Sequence, residues 1–282
     1  MEYLLLLGFL KIVDGAFSEA FDDNPRPQQR ISLNEQAQND LADEREKATG
    51  RRKRVSVGGG ANYLDFEQRS DDGFVDLNFE LFSGPAIFAA LQYQASEKWL
   101  FDLQVKSLTG EIDDGTLTLS DRDLSWQSTT LDVIYFVDVW NTGFFGTNPK
   151  TGVLLGAQYH EISVLDRESP TAFSIDTRKL SALSLGFYRH ERLSPKWTLE
   201  YWMRFQPPVS NPSDDRYNLS FSFDGSVALI RYINEAFSLG LYSYGQYQDA
   251  EIKYQDNFLS SEKEGDIGFL HSNLEARAIY KF

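Results

Sequence analysis

The last fourteen residues, Phe269 to Phe282, alternate strictly between two kinds of side chain. Phe282, Tyr280, Ala278, Ala276, Leu274, Ser272 and Leu270 make a small-to-apolar row. Lys281, Ile279, Arg277, Glu275, Asn273 and His271 make a mostly polar one. Period 2 puts the two rows on opposite faces of a strand. One such strand is compatible with many folds. The same alternation recurs along most of the 282 residues, and that confines the chain to an all-β architecture.

From Val55 onward the pattern predicts ten strands, at about 55–67, 74–95, 99–111, 126–140, 151–166, 172–190, 197–206, 217–233, 237–255 and 269–282. The seventh is the cleanest: Trp197, Leu199, Tyr201, Met203 and Phe205 alternate with Thr198, Glu200, Trp202, Arg204 and Gln206. In the second, Val75, Leu77, Phe79, Leu81, Ile87 and Leu91 share a row opposite Asp76, Asn78 and Glu80. In the eighth, Tyr217, Leu219, Phe221 and Phe223 oppose Asn218, Ser220, Ser222 and Asp224. The connections alternate too. Residues 95–98, 193–196 and 233–236 are tight turns, each followed at once by an aromatic, whereas 112–123, 207–216 and 256–268 read as longer polar loops. The turn at 141–150 is long for its place in this series.

Beyond the N-terminus no stretch offers the roughly 18 apolar residues of a membrane helix. A barrel that crosses with alternating strands needs none, and it is hydrophilic on average. The 21 Phe and 14 Tyr suit strands and interfacial girdles. With 27 basic and 42 acidic residues the net charge is −15, which argues against a nucleic-acid partner. The absence of cysteine removes disulfides and thiol chemistry. Apolar rows, girdle aromatics and alternating turn lengths together predict an antiparallel up-and-down transmembrane β-barrel over 55–282. About ten strands fit, with eight or twelve open. Residues 1–20 read as a weak signal peptide, with Tyr3–Leu10 as its apolar core and Glu2 where a base is usual. Residues 21–54 read as a polar periplasmic leader. In it, Ser32 and Glu35 start a possible helix over 33–48, followed by the basic cluster Arg51–Arg54.

The chain thus resembles the small outer-membrane β-barrel proteins of Gram-negative bacteria, over about 55–282. The terminal Tyr280-Lys281-Phe282 is similar to the aromatic-x-aromatic signal read by the outer-membrane insertion machinery in that group. The resemblance implies residence in the cell outer membrane. Its partners would be outer-membrane lipid and lipopolysaccharide, the barrel-assembly machinery and a possible small solute.

No well-spaced catalytic set emerges. His271-Ser272-Asn273 resembles the His-x-Ser-Asn stretch of outer-membrane phospholipases and lipid A deacylases, but adjacent residues on a strand face opposite ways. His160 and Ser163 differ by an odd number and fail likewise. Three His in all make a His-rich metal site unexpected, and no cofactor is implied. The acidic pairs Asp71/Asp72, Asp113/Asp114 and Asp214/Asp215 read as solvated loop acids, without the matched His of the omptin proteases. The inward row is the most informative candidate site. It carries Asp102, Lys106, Asp176, Arg178, Glu200, Arg204, Asp224, Glu275 and Arg277, together with Asp76, Glu80, Asp132 and Asp138. Charges at membrane depth are paired or wet, and ten strands leave a narrow bore, so a salt-bridged and largely occluded lumen is expected. That favours a structural or binding barrel, or a narrow pore. The alternative is a barrel enzyme acting on lipid or peptide at the outer surface.

Overall fold

The alternation closes into a ring. The computed structural model describes residues 37–41, 52–71, 76–111, 118–119, 123–137, 143–208 and 216–282. Among these lie eleven strands: β1 (Lys53–Ser70), β2 (Asp76–Gln94), β3 (Trp99–Glu111), β4 (Thr118–Leu119), β5 (Asp123–Val137), β6 (Thr147–Arg167), β7 (Ala172–Ser194), β8 (Trp197–Gln206), β9 (Tyr217–Tyr232), β10 (Phe237–Asp256) and β11 (Ser261–Lys281). Ten of them form the wall, each antiparallel to its neighbours, and β11 closes it by pairing with both β10 and β1. β4 is a two-residue strand lying parallel against β7. Both ends of the wall, Lys53 and Phe282, meet at the turn end, where each accepts a main-chain hydrogen bond from the other.

The expected signal peptide (1–20), residues 21–36 of the leader, and Asp72, Asp113, Asp114, Asp138, Asp214 and Asp215 lie outside the described residues. Of the helix expected at 33–48, residues 37–41 are described and are helical. Asn39 Nδ2 donates to Thr147 Oγ1 at 3.0 Å, and Asn148 Nδ2 donates to Asp40 Oδ1 at 3.0 Å, so Asn39 and Asp40 are tied to the start of β6. The wall begins at Lys53, and Arg54, read as part of the leader, belongs to β1.

The strands are longer than the sequence suggests. The 256–268 segment, expected as a loop, is mostly strand: β10 reaches Asp256, β11 begins at Ser261, and four residues connect them with Ser260 at φ 53°. A tilted strand crosses a bilayer with about 9–11 residues. β10 and β11 have 20 and 21, about twice what such a crossing needs.

The loop-end half has the opposite polarity to the turn-end half. Near the turn end the outward row is apolar, with Leu239, Leu241, Leu183, Leu185, Leu155 and Ile87 among its exposed side chains. Rings of aromatics bound this band: Trp99 and Tyr135 below (4.8 Å between centroids), Phe205, Phe221 and Tyr247 above. Past the upper ring the outward row turns polar. It reads Asp249, Glu251 and Lys253 on β10 and Asp65, Glu67 and Arg69 on β1, and a Lys179–Glu161 pair at 3.5 Å joins β7 to β6. The inward row turns apolar at the same level. Leu64, Phe66, Ile162, Val164, Leu180, Ile252, Ile267 and Phe269 form one cluster that fills the bore of the loop-end half.

Two bulges correct the expected rows. Ala61 faces Pro85 but Tyr63 faces Phe82, so β2 changes face between them. Leu77, expected on the lipid row, instead shares a face with buried Gln68 and packs on the inner cluster. Asp76, expected in the lumen, is exposed beside Arg69. In β9 the shift falls between the pairs Asp249–Phe221 and Ala250–Leu219, and it turns Tyr217 and Leu219 inward while Phe221 and Phe223 stay out. A bulge adds one residue to one strand, which is what reverses a period-2 pattern.

β6 then leans across the bore. Its ladder with β5 ends at Gln127–Glu161, and beyond it the Ser163 hydroxyl bonds both main-chain groups of Ser125. The buried Gln68 side chain of β1 donates to Leu165 O at 2.7 Å and accepts from Leu165 N at 3.0 Å, replacing a ladder pair. Asn257 N donates to Arg167 O at 2.7 Å, which links β6 to the end of β10. At the other end, the long turn before β6 folds back on the outer wall. The N–H groups of Phe144, Phe145 and Gly146 all donate to the Glu191 carboxylate, as does Tyr201 Oη at 3.0 Å. Gly146 is required there, since a Cβ would strike the Arg192 carbonyl.

Candidate functional site

Between the apolar plug and the turn end, the inward row is polar and nearly dry. Arg204 on β8 is its centre. It bonds Asp224 on the adjacent β9 through two nitrogens and Asp132 across the bore at 3.0 Å. All three side chains are at most 2 % exposed. Arg277 stacks between the rings of Phe88 (3.2 Å) and Tyr242 (3.7 Å) and donates to Glu275 at 2.8 Å. Gly58 and Gly60 of β1 stand opposite Arg277 and Glu275, and a Cβ at either would strike the β11 main chain. Lys106 Nζ lies 3.0 Å over the Tyr244 ring and 3.9 Å from Glu275. Glu200 takes a bidentate pair from Arg54, at 2.7 and 2.9 Å, with His190 Nδ1 3.5 Å away. Asp102 accepts from Gln92 at 2.9 Å and Gln104 at 2.7 Å through one oxygen.

The structure thus brings seven of the expected lumen residues into one layer: Asp102, Lys106, Glu200, Arg204, Asp224, Glu275 and Arg277. Glu200 and Arg204 pair elsewhere and not with each other. Asp176 and Arg178, expected beside them, belong to a separate group at the loop end, where Arg178 bonds Asp176 and lies 3.6 Å from Asp166. β7 is 23 residues long and places these two well above the layer. The residue that sequence reasoning missed is Arg54. Its basic neighbours made it look like part of the leader, although Ser56, two residues on, already keeps its inward parity.

His271 points inward, against the Tyr244 ring at 5.5 Å, and Ser272 faces out; their pairings with Leu64 and Tyr63 are regular, with no bulge to bring them together. His160 is buried in the bore, and Ser163 is engaged with Ser125. Tyr280 and Phe282 stack 6.1 Å apart and are about half exposed at the turn end. A narrow cavity opens beside the layer, bordered by Arg54, Gln92, Asp102, Glu200, Trp202 and Arg277.

No family model matches the chain, and no curated protein does. Among solved structures it is similar to the outer membrane protease OmpT of Escherichia coli, with a TM-score of 0.57 at 9 % identity, over 82 % of this chain and 97 % of that one. It is more loosely similar to the outer membrane protein OprG of Pseudomonas aeruginosa, with a TM-score of 0.36 at 13 % identity, over 82 % and 97 %. At such identities the likeness concerns the fold alone. The chain thus shares the fold of that outer-membrane protease, an antiparallel β-barrel, here with a ten-stranded wall.

Proposed function

We propose that the protein is a non-conducting barrel, stoppered toward the outside and open at its turn end to a vestibule that binds a small polar solute from the periplasm. The observation that carries this reading is the apolar cluster around Phe66, Ile162 and Phe269, crossed by the Gln68–Leu165 bonds. An ion passing it would have to shed most of its water among mainly apolar side chains, with few polar groups to replace it. The vestibule offers charged and aromatic walls, the mixture that fixes small polar ligands. Orientation follows from short turns facing the periplasm and longer loops facing out. Planar-bilayer recording tests the reading. Currents at the noise level are expected, and Arg204→Ala alone leaves them there because the apolar plug is untouched. Large, steady, weakly selective openings would refute it.

A further inference from the structure

Most carboxylates in the polar layer have a cation of their own, but two do not. Asp102 on β3 and Asp132 on β5 stand directly opposite each other in the ladder, 4 % and 2 % exposed. Facing partners in an antiparallel pair have Cα atoms only about 4.5–5.5 Å apart. Asp102 has only two neutral amides as partners, both on Oδ2, and Oδ1 has none. Asp132 shares Arg204 with Asp224 through Oδ2, and its Oδ1 has no partner either. Arg204 therefore serves Asp132 and Asp224 together, and Asp102 has no ion pair among the described residues. A third oxygen converges there. Ser184 Oγ, on a residue 1 % exposed, is also without a partner, and both it and Asp132 Oδ1 lean over the bare Cα of Gly156. A side chain at Gly156 would collide with both oxygens.

We infer that Asp102, Asp132 and Ser184 bind a divalent cation of the calcium or magnesium class inside the barrel. The donors are hard oxygens, the ligands such ions select, and Asp102 Oδ1, Asp132 Oδ1 and Ser184 Oγ are all without a partner. Two carboxylates and a hydroxyl fall short of a full shell, so water supplies the rest. It reaches the site through the vestibule, which Asp102 borders. The site requires only that water reach Asp102, and it stands whether or not the barrel conducts.

Calorimetric titration of calcium chloride into the full-length, chelator-treated protein in detergent micelles tests this. Terbium(III) emission sensitised by the nearby Trp202 and Tyr188 serves as a second readout. We expect one bound ion per chain that is lost or at least about tenfold weaker in Asp102→Asn and in Asp132→Asn. Ser184→Ala and Gly156→Ala, which keep both carboxylates, are expected to weaken it as well. Each variant is checked for the barrel's heat-dependent gel shift, so a misfolded one is replaced by another of the four. Calcium binding unaltered in every folded variant would overturn the site. So would an absence of binding in the wild type: the pair would then be neutralised by protons alone.

Discussion

An arginine scan of the outward face of β10 measures where the protein leaves the membrane. β10 rises about 3.4 Å per residue. A band about 25 Å tall, crossed at a tilt of about 40°, uses roughly ten residues. Counting from Phe237 places its upper edge near Tyr247, the last aromatic before Asp249 and Glu251. Leu241, 51 % exposed and well inside the band, should lose about 2–4 kcal/mol as Leu241→Arg. Glu251→Arg, ten residues further along the same face, should stay within about 0.5 kcal/mol of wild type, as on a solvated surface. Urea unfolding of protein refolded into phosphatidylcholine vesicles, followed by tryptophan fluorescence, gives both values. Equal costs at the two positions would refute the inversion of polarity; a large cost at Glu251 alone would mean the band had been placed at the wrong end.

Other perturbations probe the interior. Phe66, fully buried in the plug, should cost about 3–5 kcal/mol as Phe66→Ala by the same urea assay, and a loss under 1 kcal/mol would contradict close packing there. Arg204→Ala leaves Asp132 and Asp224 buried without a cation and should cost about 3–5 kcal/mol; Asp224→Asn in the same background should recover part of that loss, and no recovery would argue against the charge explanation. Arg54→Ala should strip Glu200 of its bidentate partner and destabilise the barrel more than Arg52→Ala, whose guanidinium makes only an exposed contact to Ala95 O; equal effects would return Arg54 to the leader. Phe282→Ala should lower the amount of folded barrel recovered from cell membranes while leaving refolding in detergent unchanged, and an equal loss in both would make it a packing residue.

The ring itself was legible because the end of β11 and all of β8 lie within the apolar-out band, where one row is apolar throughout. Face and register follow from parity there, and the inward placement of Glu200, Arg204, Glu275 and Arg277 came with them. The plug was not legible. Apolar-in, polar-out strands have the same period as apolar-out, polar-in ones, so the change of sense at Phe269 and His271 leaves the alternation unbroken in sequence. The bulges in β2 and β9 hid it further, since they kept Leu77 and Tyr217 in step with lipid-facing rows. Glu200 and Arg54 are 146 positions apart, and nothing short of the closed ring brings them together. Ser184 and Gly156 carry no charge pattern at all, so their place beside Asp132 is visible only in three dimensions.

The head built on β10 and β11 has a bearing on biogenesis. In the proposed orientation its outward charges, Asp249, Glu251 and Lys253 on one strand and Glu262, Glu264 and Asp266 on the other, would end on the far side of a bilayer entered from the periplasm. A barrel with short hairpins threads little more than its turns through hydrocarbon. This one has to translocate whole strands bearing ionised side chains, whose inward partners Ile252 and Ile267 acquire their packing only once the strands have arrived. Desolvating those charges in transit is therefore expected to slow insertion into bare lipid relative to a barrel with short hairpins.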